Sequence, residues 1–155
     1  MNAEGTVGDG AFGLRPAAPE DAAEIARLSC QLGYPSDAAQ MAPRLRALSD
    51  PESHGLFVAS DEAGRVIGWL HVSVERTVES DAFAEIRGLV VDEARRGRGI
   101  GAGLVRSAVA WARQRGLTRV RVRSNVTRER TREFYLRLGF SVRKTQAVFD
   151  LDIPV

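Results

Sequence analysis

Residues 85–104 read EIRGLVVDEARRGRGIGAGL. An apolar run (FAEIRGLVV, 83–91) hands over to four glycines and three arginines within RRGRGIGAG (95–103), and a helical pattern, LVRSAVAWARQRG (104–116), follows at once. Glycine is costly inside regular structure, so such a cluster marks a backbone that turns through positive φ or comes very close to something else. The arginines point to an anion as that something.

Working outward from this stretch, the periodicities predict alternating elements. Upstream lie a short strand at 14–17, a helix at 19–32 and a second helix from Ser36 that Pro43 should kink or split. Strands at 55–60 and 65–76 flank a DEAG turn and read as an antiparallel hairpin. Downstream, 101–115 is helical with Leu104, Ala108, Trp111 and Ala112 inward, and 118–125 alternates arginine with valine as a half-buried strand does. A helix at 128–140 and a last strand, AVFDLDI at 147–153, complete the order β-α-α-β-β-β-α-β-α-β. The expected class is α/β, a mixed and mostly antiparallel sheet of about six to seven strands with flanking helices.

With 155 residues, 44% hydrophobic and 27% charged, the chain fits one globular domain over 12–155, preceded by a loose tail at 1–11. No apolar run approaches the roughly 18 to 20 residues of a membrane span, and the N-terminus lacks a basic-then-apolar leader, so a cytoplasmic, non-membrane protein is expected. A single cysteine, Cys30, read as a packed helix residue, and two separated histidines suggest neither a disulfide nor a metal cluster. Net charge is only +2, but residues 1–94 hold 16 acids against 7 arginines, whereas residues 95–143 hold 14 arginines against 2 acids. That asymmetry suggests an anionic partner for the second half and a cationic one for the first.

Three nucleotide motifs compete for the glycines. A Walker A loop fails because the chain contains no Gly-Lys pair. A dinucleotide fingerprint through Gly97, Gly99 and Ala102 fails because DEARR separates it from its strand, and no acid follows where a ribose contact belongs. R-x-x-G-x-G, matched by Arg96, Gly99 and Gly101 directly before a helix, agrees with its whole context. Unpaired N–H groups at a helix start carry the positive dipole end, and glycines let a pyrophosphate come close.

With this motif at 85–104 and FYLRLGF at 134–140, the chain resembles the GNAT superfamily of N-acetyltransferases over roughly 12–153. Its nearest flavour is that of the aminoglycoside-type and related small-amine acetyltransferases. The resemblance implies acetyl-CoA as cosubstrate. It places cofactor binding on Leu89, Val90 and Val91 of the strand and on Arg96, Gly97, Arg98, Gly99, Ile100 and Gly101 of the loop. It also implies that the strand at 83–91 separates from that at 118–125, Gly88 marking a bulge and Leu89 N–H serving as oxyanion donor. Glu85 takes the place of the family's general base, and Tyr135 that of its general acid. The family's asparagine, seven residues before the tyrosine, is Arg128 here, with Asn125 three residues earlier, so either residue can hold that cofactor contact.

The expected reaction is acetyl transfer to a primary amine by direct attack in a ternary complex. Alternatives are acetylation of a protein N-terminus or lysine, an acyl-CoA sensor, and nucleic-acid binding through the arginines of 119–133. The last is disfavoured because aromatics are absent there until Phe134. Trp69 with His71, Glu79 with Asp81, or Tyr34 with Asp37 are candidates for the acceptor pocket. A C-terminal strand and an exposed hairpin are compatible with a homodimer.

Overall fold

The computed structural model describes residues 12–155; the tail expected at 1–11 lies outside the described residues. The chain divides into two compact units, Met1–Val122 and Arg123–Val155.

The first unit is built on a five-stranded sheet in the order β1 (Phe12–Pro16), β2 (His54–Asp61), β3 (Val66–Glu75), β4 (Phe83–Val91), β5 (Val120–Val122). Its first four strands pair antiparallel and β5 joins β4 in parallel. Between strands run α1 (Ala22–Gln31), entered through a one-turn 3-10 helix at Pro19–Asp21, α2 (Ala38–Ala47) and α3 (Ile100–Gln114). The second unit holds α4 (Glu129–Arg137).

Each sheet face is covered by helices whose apolar stripes the sequence sets at helical spacing. On one face Ile25, Ala26 and Leu28 of α1 and Met41 of α2 meet Val58, Val66 and Val90, with Leu56 and Trp69 packed at the margin. The other face belongs to α3, and small residues set how close it comes. A Cβ on Gly68 would lie 3.2 Å from Leu104 and 3.3 Å from Ile100, and one on Gly55 would lie 2.9 Å from Trp111. Trp111 is therefore core, as its spacing indicates.

Four local expectations change. The α2 helix runs unbroken through Pro43, and Asp37 rather than Ser36 caps it, accepting from Gln40 N–H at 2.8 Å. Proline removes only the bond to the carbonyl of Ala39, an exposed residue in the first turn of the helix. Cys30 is exposed, not packed, because the buried stripe of α1 passes through Ile25, Leu28 and Ser29. The strand expected at 118–125 is only Val120–Val122. Residues 147–153 carry no strand at all, which with the five strands present corrects the count of six to seven.

Asp21 anchors the start of α1. Its buried carboxylate takes two bonds from the Arg15 guanidinium at 2.7 and 2.9 Å and one from Ala18 N–H at 2.7 Å. The Arg15 bond, ahead of the Ala18 bond and against the cost of burial, holds this carboxyl below its ordinary value of 3.8. A depressed carboxylate stabilises the fold above its unfolded value and loses that contribution as pH falls through the folded one. Asp21→Asn should cost about 1–2 kcal/mol at neutral pH, the half-exposed Arg15 keeping the loss moderate. Urea denaturation of both proteins should show the gap closing below about pH 4.

Candidate active site

The β4–α3 connection realises the geometry that its glycines suggest. Gly97 and Gly99 have φ of 80° and 79°, the left-handed region that side chains disfavour. Gly99 is the N-cap of α3 and offers no side-chain cap. The first bond into the helix, Gly103 N–H to Gly99 C=O at 3.0 Å, leaves the N–H groups of Ile100, Gly101 and Ala102 ahead of it without a protein acceptor among the described residues. A Cβ added to Gly97 or Gly99 would meet nothing within 4 Å, so it is backbone conformation, not crowding, that demands glycine. The result is a bare positive helix end facing open space, a fit for a pyrophosphate. Arg98 is exposed beside it; Arg96 Nε makes a long bond of 3.4 Å to Val91 C=O. Arg95 instead pairs with Asp61 at 3.1 Å, a structural contact.

Helix α1 braces this loop from a distance. Gln31 accepts from Glu93 N–H at 3.0 Å, and Arg27 donates to Val66 C=O at 3.0 Å while pairing with Asp92 at 3.4 Å. Sequence reading missed Arg27 and Gln31, since polar residues on a helix usually meet only water.

The β4 strand is irregular where Gly88 suggests it. His71 faces Gly88 while Val72 faces Ile86, so Arg87 is an extra residue on β4. Gly88 is required by a close approach too: a Cβ there would sit 2.7 Å from the Trp69 ring. On the opposite edge the β4–β5 ladder runs Ala84↔Val120, Glu85↔Arg121, Ile86↔Val122 and ends. Asp92 N–H donates to Ile67 C=O at 2.8 Å, so by strand alternation Val90 turns its polar groups toward β3, whereas Leu89 and Val91 turn theirs to the edge that β5 leaves uncovered. Val90 is thus a core side chain with a paired backbone. Leu89 and Val91 are the members of this trio on the open edge.

The sheet face under α1 and α2 becomes polar toward this end. His54 Nδ1 lies 3.1 Å from His71 Nε2, Ser73 donates to Glu75 at 2.7 Å, and Arg87 pairs closely with the buried Glu85 and reaches Glu75 at 3.7 Å. Glu85 therefore stands in a cluster with His71, Ser73, Glu75 and Arg87, most of which sequence reading did not single out. Their common signal is alternation on β3 at 71, 73 and 75. Burial first, then the neighbouring His54 and Arg87, push the His71 imidazole down from 6.5 to about 4. The neutral ring favoured by the fold gives a contribution complete above about pH 6.5 and lost as pH falls toward 4, worth about 2–3 kcal/mol. His71→Gln should flatten the fall of Tm over that interval in a thermal melt series.

In the second unit Tyr135 is buried, with its ring edge-on to Phe140 at 5.3 Å and to Phe134 at 5.0 Å. Burial pushes its phenol from 10.0 up to about 12, so it keeps its proton throughout the neutral range. Among the described residues no hydrogen bond occupies that hydroxyl. Asn125 Oδ1 is bonded by Thr127 N–H at 3.0 Å and Thr127 Oγ1 at 2.9 Å, closing the turn before α4, and Arg128 is the N-cap residue of α4. Of the acceptor candidates, Asp37 is spent on its cap, Tyr34 is exposed, and Trp69 packs at the core margin.

The sequence profile described as the acetyltransferase (GNAT) family matches residues 20–140. An uncharacterized N-acetyltransferase of Methanocaldococcus jannaschii is 34% identical over 91 residues, which are 57% of this chain and 40% of that protein. A mycothiol acetyltransferase of Salinispora tropica is 29% identical over 131 residues, 82% of this chain and 43% of that one. The chain thus spans about two-fifths of the length of these curated relatives. An aminoglycoside 6'-N-acetyltransferase from Acinetobacter baumannii shares the fold, with a TM-score of 0.79 at 20% identity over 92% of this chain and 99% of the other. No helix among the described residues is long and apolar enough to cross a membrane. With its profile matched across most of the chain, its glycine loop opening a helix and its fold shared, this chain belongs to the GNAT family of acetyltransferases.

Proposed function

We propose that the protein moves an acetyl group from acetyl-CoA to a primary amine by direct attack in a ternary complex. The observation that carries this reading is the open edge of β4 beyond Ile86, which lies on the same strand as Glu85 and leads into the uncapped N-terminus of α3.

Acetyl-CoA supplies the acetyl group as an activated thioester. The N–H groups of Ile100, Gly101 and Ala102, with Arg96 and Arg98, hold the pyrophosphate, and Leu89 and Val91 offer backbone groups to the pantetheine arm. Leu89 N–H donates to the thioester oxygen as it gains charge. An amine like that of lysine is about 99.9% protonated at neutral pH, so a base must free its lone pair. Glu85 takes that proton, directly or through water. Arg87 keeps the Glu85 carboxylate paired until a cationic acceptor competes for it, and Glu75 adds a second negative charge to the same face. Tyr135 gives its proton to the departing sulfur. Asn125 and Arg128 remain the candidates for a further cofactor contact.

A small-molecule acceptor is favoured by the small-molecule names of the mycothiol and aminoglycoside relatives. The test is CoA thiol release across polyamines, aminoglycosides, amino acids and peptides. Turnover with a small amine is the expected result. Turnover with peptides alone would move the assignment to protein acetylation, and CoA binding without turnover on any amine would leave a sensor.

A further inference from the structure

We propose that Gln31, assisted by Arg27, is a positioning residue for acetyl-CoA: from the end of α1 it fixes the turn at 92–95, and thereby the way the glycine loop presents the first N–H groups of α3. The inference rests on the assignment of that helix end to the cofactor pyrophosphate. The glycine loop does little to hold itself. Among the described residues nothing would lie within 4 Å of a Cβ at Gly97 or Gly99, Arg98 is exposed, and Arg96 makes a long bond of 3.4 Å to Val91 C=O. Such a segment is placed by whatever holds its two ends, which are α3 on one side and the 3-10 turn Glu93–Arg95 on the other.

That turn is held from outside the connection. Gln31 uses both ends of its amide: Oε1 accepts from Glu93 N–H at 3.0 Å and Nε2 donates to Asp92 Oδ1 at 3.5 Å. Glu93 N–H opens the turn, where no carbonyl of the turn itself can accept it. The Asp92 carboxylate also accepts from Ala94 N–H at 3.2 Å, which closes the turn, and pairs with Arg27 at 3.4 Å. Arg27 is fixed in its own place, donating to Val66 C=O at 3.0 Å and pairing with Glu24 at 3.0 Å. Holding a binding loop in its bound shape before the ligand arrives removes the cost of ordering it, so contacts that never touch the cofactor still raise its affinity.

The test is calorimetric titration of CoA into the full chain, with a thermal melt of each variant beside it. Gln31→Glu keeps an acceptor for Glu93 N–H but sets a carboxylate against Asp92, and should weaken CoA binding about 10-fold. Gln31→Leu removes both bonds without adding charge and should weaken it by a similar factor, so that the loss is not one of net charge. Adding Asp92→Asn to Gln31→Glu exchanges donor and acceptor across the same contact. Affinity should then return to within about threefold of wild type, a rescue that a general loss of stability does not give. In turnover assays the KM for acetyl-CoA should rise in Gln31→Glu while kcat stays within about twofold, since the lost contact serves ground state and transition state alike. Affinity within about twofold of wild type in both Gln31 variants, with Gly99→Val still defective, overturns the positioning role alone. A wild-type protein that does not bind CoA, or a folded Gly99→Val that binds it as wild type does, overturns the pyrophosphate assignment and this role with it.

Discussion

Tyr135→Phe should lower kcat and kcat/KM together by about 10²- to 10⁴-fold while acetyl-CoA affinity stays nearly unchanged. A phenol that protonates a departing thiolate acts only as the thioester bond breaks, so its loss is felt in the transition state and not in cofactor binding. The phenol held at about 12 is protonated at every working pH, so protonation of Tyr135 itself does not limit the rate in the neutral range. Removing one oxygen also leaves the edge-on contacts with Phe134 and Phe140 in place. Steady-state kinetics and CoA titration on the same preparation measure both quantities. Turnover within a fewfold of wild type would reduce Tyr135 to a packed ring.

Gly99→Val is expected to weaken CoA binding by about 100-fold or more, because two separate costs fall on one residue. A β-branched side chain at φ 79° is strained by about 1–3 kcal/mol, which pushes the turn out of shape. The new methyl groups would also enter the space that the proposed function gives to the pyrophosphate beside the helix N–H groups. Arg95→Ala serves as the control: its guanidinium is turned to Asp61, so affinity should hold within a fewfold. Isothermal titration of folded variants decides it, and unchanged affinity in Gly99→Val would remove the loop from cofactor binding.

How far the local chemistry of the chain reaches can be judged from particular residues. The loop at 95–103 was readable because positive φ and helix initiation both depend on a few adjacent residues. The stripe through Leu104, Ala108 and Trp111 was readable for the same reason, being a helical repeat. Cys30 was misplaced by a rule about residue type, although its position off the Ile25–Leu28 stripe already put it outside. Strand 147–153 was misjudged differently: its alternation is real, but a strand needs a neighbour, and alternation alone does not supply one.

The sequence by itself determined the order of most elements, the uncapped start of α3 and the residue types offered for base, acid and anion contacts. Only the tertiary structure decided which of them meet. A single extra residue at Arg87 sets Gly88 against Trp69 and Glu85 beside Arg87 and Glu75, and the end of the β4–β5 ladder at Ile86 is what turns Leu89 and Val91 to an open edge. Arg27 and Gln31 reach the loop across more than sixty residues of chain. The reason is physical: helix starts and turns are settled by interactions a few residues apart, whereas strand register, bulges and polar clusters on a sheet depend on pairings whose partners the local sequence does not contain.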